Sequence, residues 1–378
     1  MIFSDFLERI QEQLTQELPF VAYRKPKESN VQSFLQVDSI LHKTTEFLES
    51  GFVLAPFNLE EMSVLIPSES SELIISDEDT LEEIESRDYS NKSSEIINEV
   101  SVKKNHISLV EKGIEAIQEN VFSKVVLSRE EPVLLTEKNP IQIFKKLLAS
   151  YPTAFVYVWY HPKVGLWLGA TPETLLQIEN REFKTMALAG TKVYKGTTDV
   201  VWEAKELEEQ QIVTNFIVSN LENQLQALKV SKVETAKAGT LLHLKTHISG
   251  RINMEASSLT RIIKSLHPTP AVCGMPKEAA KSFIMENEHY KRDFYTGFLG
   301  ELNLKKEVSR NANRRNVENH AYFSIKTASN LFVNLRCMQI KNNEALLYIG
   351  GGITDGSNPI KEWEETVSKS ETMKKVLQ

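Results

Sequence analysis

ALLYIGGGITDGSNPIKEWEETVSK, residues 345–369, holds in one stretch the local signals from which much of this chain is built. Residues 345–353 form an apolar run with bulky side chains, short enough for a buried strand. The run takes in Gly350, Gly351 and Gly352. Glycine lets another group approach the backbone closely, and turn backbones can form anion-holding nests. Asn358–Pro359 then reads as an N-cap followed by proline at the first helical position. On the predicted helix, Glu362, Glu365 and Lys369 stand three and four residues apart and share a face. Each part has a plainer reading too. A glycine cluster after a strand is often a simple turn, and a Glu/Lys face is often a solvated ion-pair ladder. The glycine spacing matches neither GxGxxG nor GxxxxGK[ST], so no nucleotide-binding motif is predicted.

Outward from this stretch, strand candidates are KVVLSRE (124–130), TAFVYVWYH (153–161), GLWLGATP (165–172), TLLQIE (174–179) and LFVNLRCMQI (331–340). Their β-branched and aromatic content and partial alternation predict strands. The longest helix candidate spans roughly 201–228. There Leu207, Val213, Phe216, Ile217, Leu221, Leu225 and Leu228 recur at three- and four-residue steps. Another helix is predicted from near Pro276 to about Tyr290. Residues 77–104 are strongly charged and read as a surface connection or a solvated helix. KKEVSRNANRRNVENH (305–320) is basic and asparagine-rich and reads as a loop.

The 378 residues suggest two or three domains at roughly 150 residues each. Hydrophobic residues make up 41% and charged residues 25%, the balance of a globular protein with a sizeable core. The net charge of -7 argues against general nucleic-acid binding, which needs a basic surface. Cys273 and Cys337, the two cysteines, form no CxxC pair, so neither a zinc site nor a disulfide framework is predicted. MIFSDFLERIQEQLTQELPF at the start is an acidic amphipathic helix rather than a signal peptide. No run approaches 18 apolar residues, so no membrane span is expected and the cytoplasm is the expected location.

Several polar residues interrupt apolar surroundings. Glu206 and Glu209 repeat the three-residue spacing of Glu362 and Glu365 on a second helix. Two such carboxylate pairs could hold one hard cation, and Mg²⁺ suits one or two carboxylates plus an anionic substrate. Lys124 and Arg336 lie inside strand patterns, where a charged residue commonly faces solvent. Glu173 directly follows an apolar strand. His243 sits in GTLLHLKTH, and His267 in LHPTP reads as a helix-end residue.

KVVLSR (124–129), GATPETLL (169–176), MALAGTK (186–192), KELEEQQIV (205–213) and LLHLKT (241–246) together resemble a known family. So do LHPTPAVCGMP (266–276), RDFYTGFLG (292–300), VNLRC (333–337) and YIGGGITDGSNPIKEWEETVSK (348–369). The family is the chorismate-utilising enzymes, which includes isochorismate, anthranilate, aminodeoxychorismate and salicylate synthases. The motifs occur in family order from about residue 105 to 375, while 1–104 resembles the family's variable part more weakly. The resemblance implies a single α+β domain over 1–378, with two stacked antiparallel sheets surrounded by helices. This replaces the length-based domain estimate. It also implies Lys124 as general base, Glu173 as general acid, and Glu209 and Glu365 as Mg²⁺ ligands. Glu206 and Glu362 would reach the metal through water. Arg336 and Lys369, with the backbone amides of Gly350 and Gly352, would grip the substrate carboxylates. Thr191, His243 and Tyr295 would line the ring and enolpyruvyl pocket. Two features depart from the family pattern: Gln210 stands where histidine is usual, and 305–320 looks like an insertion.

Chorismate carries two carboxylates, which call for cationic and amide donors, and arginine's fork suits one of them. Mg²⁺ on the ring carboxylate would fix orientation and stabilise developing charge. Water attack at C2 with loss of the C4 hydroxyl would need a neutral lysine and a protonated glutamate, and burial favours both. The resemblance further implies water as the nucleophile. Ala189 stands where aminodeoxychorismate synthases carry lysine, and Lys124 stands where anthranilate synthases usually lack one. Isochorismate is the expected product, with menaquinone synthesis as the expected destination over a siderophore pathway. Salicylate formation by pyruvate elimination, or a non-catalytic chorismate-binding relative, are the alternatives. Beyond the small-molecule substrate, the expected assembly is a monomer or weak homo-oligomer.

Overall fold

Segments of two to twelve residues, apolar throughout or alternating apolar with polar in most cases, become strands that pair only with antiparallel neighbours. The computed structural model describes residues 1–77, 99–238, 241–252, 258–309 and 323–377. The chain opens with α1 (Phe3–Thr15), β1 (Phe20–Arg24), β2 (Gln32–Gln36), β3 (His42–Thr44), β4 (Gly51–Ala55), β5 (Ser63–Pro67) and β6 (Ser71–Ile75). Next come α2 (Glu99–Gln118), β7 (Lys124–Leu134), α3 (Pro140–Ser150), β8 (Phe155–His161), β9 (Gly165–Thr171), β10 (Thr174–Glu179) and β11 (Glu182–Val193). Then follow α4 (Ala204–Leu221), β12 (Leu225–Val230), β13 (Glu234–Ala238), β14 (Leu241–Ile252), α5 (Ser258–Leu266), β15 (Gly274–Met275) and α6 (Lys277–Asn287). Last are β16 (Phe298–Ser309), β17 (Phe323–Val333), β18 (Cys337–Lys341), β19 (Glu344–Ile353) and α7 (Pro359–Lys374).

Two antiparallel sheets result. The first runs β15-β7-β19-β18-β9-β8-β1-β2-β6, and the second runs β12-β14-β11-β10-β17-β16-β4-β5-β3, with β13 also on β14. Strands from the first 76 residues enter both sheets. An aromatic layer fills the space between the sheets: Tyr23, Phe34, Phe155, Tyr157, Trp159 and Trp167 meet Phe52, Leu54, Leu299 and Phe332. Phe155 and Phe332 stack across it at 4.3 Å between ring centroids. Helices cover the outer faces. α1 and α3 pack on the first sheet, α4 and α5 on the second, and α2 and α6 on β7. The α+β class and the stacked sheets are as the resemblance implied. No helix among the described residues is long and apolar enough to cross a membrane.

Three local expectations differ from what forms. The helix predicted over 201–228 stops at Leu221. Leu225 and Leu228 lie on β12, where the register shifts between Gln226 and Lys229 and Ala227 takes φ 53°. That bulge brings two residues three apart to the same core, so a strand imitates helical spacing. The strand predicted over 331–340 is two strands. The chain leaves the second sheet at Val333, crosses through Asn334–Arg336, and joins the first sheet at Cys337. The loop predicted over 305–320 is corrected at its start: Lys305–Ser309 continue β16, paired with Phe323–Thr327. Residues 310–320, like 78–98 of the charged connection, lie outside the described residues.

Replacing Phe332, 1% exposed, by alanine removes one side of the inter-sheet stack. Phe332→Ala is expected to lower unfolding free energy by roughly 3–5 kcal/mol, read from denaturant titration.

Candidate active site

Two chain crossings between the sheets set the site. One is Pro172–Glu173, between β9 and β10; the other is Asn334–Arg336. They are tied side by side. The Val333 amide donates to the Glu173 carbonyl at 3.0 Å, and Ala170 N–H donates to the Arg336 carbonyl at 3.1 Å. Thr171 Oγ1 donates to the Val333 carbonyl at 2.6 Å and accepts from Glu173 N–H at 3.3 Å. Arg336 is held at φ 47°, a left-handed conformation uncommon for a residue with a side chain. Glu173 and Arg336 therefore project from the same seam into one cavity, whose walls also include Thr191, Glu206, Glu209, His243, Tyr295, Gly350, Gly352, Glu365 and Lys369.

Glu173 is 4% exposed. Burial pushes its carboxyl up to about 8, against the opposing pull of Lys124 and Arg336. Lys124 opens β7 and is fully buried just behind the cavity wall. Its Nζ donates to Glu209 Oε1 at 2.8 Å. The mechanism expected from the resemblance asks for a neutral lysine, whereas here Lys124 is held in an ion pair, so service as a base would require that pair to open and the ammonium to give up its proton. Burial works to raise the Glu209 carboxyl, but Lys124, with Lys369 and Lys205, outweighs it and holds it low.

The three glycines of β19 divide between two faces, as alternation along a strand requires. A Cβ on Gly352 would stand 2.5 Å from Glu209 Oε1 and 3.2 Å from Lys124 Cε. One on Gly350 would stand 2.8 Å from the Tyr295 hydroxyl. Gly351 looks the other way, with Glu362 Oε2 at 3.6 Å and Glu365 Oε1 at 3.9 Å. The pairing of β18 ends at Met338–Leu347, so among the described residues Tyr348–Ile353 pair with β7 alone. Lys369 Nζ caps this edge, donating to the Gly350 carbonyl at 2.9 Å and pairing with Glu365 at 2.7 Å.

On the opposite wall, β11 bulges between Ala189 and Lys192, with Gly190 at φ 70°. The bulge aims the Gly190 amide at Glu209 Oε2 (3.2 Å) and its carbonyl at His243 Nδ1 (2.7 Å). Arg336 Nη2 lies 2.9 Å from His243 Nε2. A guanidinium only donates, so Nε2 accepts and Nδ1 carries the hydrogen given to Gly190. Burial and the Arg336 charge keep this imidazole neutral, pushed down to about 3. His243 lines the cavity and also braces Arg336.

The four carboxylates are near one another but not gathered as a ready metal cluster. Among the described residues no three His, Cys, Asp or Glu side chains are placed to hold a metal ion. Glu206 spends an oxygen on a capping box, accepting from the Glu203 amide at 3.0 Å. Glu362 sits outside the wall and pairs with Lys205 at 2.5 Å. Like charges drawn together need counter-ions, and Lys124, Lys205 and Lys369 supply them to Glu209, Glu362 and Glu365. The donor set nevertheless suits a hard cation. It is all oxygen, and Glu362 Oε2 is buried without a hydrogen-bond partner.

Lys205 escaped the sequence reading, although it stands four residues before Glu209 and so shares its helix face. Gln210, the departure from family pattern, turns away from the cavity. Its Nε2 donates to the Ala187 carbonyl (3.1 Å) and Thr246 Oγ1 (3.0 Å), tying α4 to the sheet. His267, buried, lies against the Phe57 carbonyl and takes no part in the wall.

The model of the chorismate binding enzyme family matches residues 14–309 and 321–378. The chain belongs to this family. It is 29% identical over 266 residues to isochorismate synthase EntC of Escherichia coli (strain K12), covering 67% of this chain and 62% of EntC. It is 26% identical over 287 residues to isochorismate synthase DhbC of Bacillus subtilis (strain 168), covering 71% of this chain and 66% of DhbC. The matches span just under two thirds of these relatives' lengths. The structure of MenF, the menaquinone-specific isochorismate synthase from Escherichia coli, has the same fold. Its TM-score is 0.72 at 20% identity, over 95% of this chain and 89% of that one.

Within this cavity, the glycine geometry separates three substitutions. Gly352→Ala and Gly350→Ala are expected to displace Glu209 and Tyr295 and so to cut catalytic turnover. Gly351→Ala meets only ordinary contacts and is expected to leave more activity than either. Steady-state assay of the three purified variants checks the order.

Proposed function

We propose that this chain is an isochorismate synthase, converting chorismate to isochorismate by adding water at C2 and releasing the C4 hydroxyl. The observation that carries the reading is Glu173, a carboxyl whose burial keeps its proton at neutral pH, in the same cavity as Arg336 and beside Lys124. A protonated carboxyl has a task in expelling hydroxide, which leaves as water once protonated. Lys124, parted from Glu209 and having given its ammonium proton to solvent, takes a proton from the attacking water. Arg336 and Lys369 receive the substrate carboxylates, with His243 fixing the plane of Arg336. Ala189, 7% exposed in the cavity wall, presents a methyl group and no amine nucleophile. Glu209 and Glu365, assisted by Glu206 and Glu362, would hold Mg²⁺. When bound, the metal supplies positive charge to anchor the ring carboxylate.

Incubation with chorismate and Mg²⁺, followed by mass and ultraviolet identification of the product, tests the reading. Isochorismate without pyruvate is expected. Salicylate plus pyruvate would indicate the eliminating relative, and no reaction from folded protein would leave a binding module. Lys124→Ala and Glu173→Ala are each expected to lower turnover by about 10²–10⁴-fold.

The raised carboxyl also fixes a pH dependence. Above about pH 8 Glu173 loses its proton, so kcat/KM is expected to fall there. Stability follows the same sign. Between the ordinary 4.5 and about 8 the folded chain holds a proton that the unfolded chain has released, so this group's contribution declines as pH rises. Glu173→Gln is expected to flatten that slope in denaturant titrations at pH 5 and 8 while abolishing turnover.

A further inference from the structure

We propose that Arg129 is the positioning residue that sets α7 against the glycine strip, and so sets where Glu362, Glu365 and Lys369 stand. Its functional half rests on the isochorismate synthase reading. Arg129 lies on β7 at odd spacing from Lys124, so it faces away from the cavity, and it pairs across the sheet with Ile349, next to Gly350. It is 7% exposed.

One guanidinium grips α7 at several points. Nε donates to Thr366 Oγ1 at 2.9 Å. The guanidinium carbon lies 4.6 Å over the Trp363 ring. Nη1 pairs with Glu131 at 2.7 Å, and Glu131 pairs in turn with Lys374 near the helix end. His106 of α2 packs 5.9 Å from the Trp363 ring and closes the group.

The grip falls on Trp363 and Thr366, the residues immediately after Glu362 and Glu365. A slip of one residue along a helix turns it by about 100° and moves it about 1.5 Å. That would carry both carboxylates off Gly351 and Lys369 off the Gly350 carbonyl. A buried ion cluster is often no more stable than a well-packed apolar replacement. Here its geometry supplies what apolar packing does not: directional contacts that admit one register of α7.

Arg129→Met keeps an apolar stem and leaves Glu131 paired with Lys374. In this variant amide hydrogen exchange over 359–374 is expected to quicken while that of α3 is unchanged. Mn²⁺, used as the probe cation and counted by its free electron paramagnetic resonance signal, is expected to bind roughly 10–100-fold more weakly. The KM for chorismate is expected to rise, and Arg129→Lys to recover part of each loss. If the methionine variant fails to fold, the lysine variant carries the same readouts. Unchanged exchange in α7 overturns the proposal. So does faster exchange with wild-type Mn²⁺ affinity and KM, which marks a structural role alone. Wild-type protein that neither binds Mn²⁺ nor forms isochorismate overturns the functional reading, and with it the functional half. Exchange in α7 then still decides whether Arg129 holds the helix.

Discussion

The paired crossing of the chain between its two sheets is the constraint on which the rest depends. Three hydrogen bonds join Ala170, Thr171 and Glu173 to Val333 and Arg336 where both segments change sheets, and a fourth, from Glu173 N–H to Thr171 Oγ1, braces the first crossing from within. A strand interior would send alternate side chains into the inter-sheet layer or out to the helices. A crossing frees Glu173 and Arg336 from that alternation and lets both enter one cavity. Asn334 secures the second crossing from within, fully buried, accepting from the Tyr157 hydroxyl at 2.7 Å and donating to the Phe294 carbonyl at 2.9 Å.

Charge balance is the second organising fact. Lysines oppose three of the four helix carboxylates, and the fourth caps its own helix. The lysine ammonium groups are what let these acidic groups be drawn together. It also couples the parts. Glu209 is shared by Lys124 and the Gly190 amide, and Gly190 is shared with His243, which braces Arg336. A change at the β11 bulge therefore reaches Lys124, Glu209 and Arg336 together.

The glycines of β19 were visible in the sequence as a place of close approach, but not what approached. Neighbours three and four apart on α4 and α7 were equally plain, because helical spacing is local. Lys205 obeys the same spacing, four residues before Glu209, but its partner Glu362 lies on the other helix, 157 residues away. Leu225 and Leu228 misled for a physical reason: a bulge restores on a strand the three-residue step that marks a helix. The run 331–340 misled because Val333, Asn334, Leu335, Arg336 and Cys337 alternate apolar and polar through the crossing, as a continuous strand would.

By itself the sequence determined the motif order, the acidic helix faces, the absence of an amine at Ala189 and the residue types able to take up or give up protons. These depend on side-chain chemistry and on neighbours a few positions away. Only the tertiary structure decided that Lys124 meets Glu209, that His243 accepts from Arg336, that Gln210 turns to the sheet, and that Glu173 keeps its proton. Each of those depends on burial and on partners tens to hundreds of residues distant, brought together when two sheets close over one another.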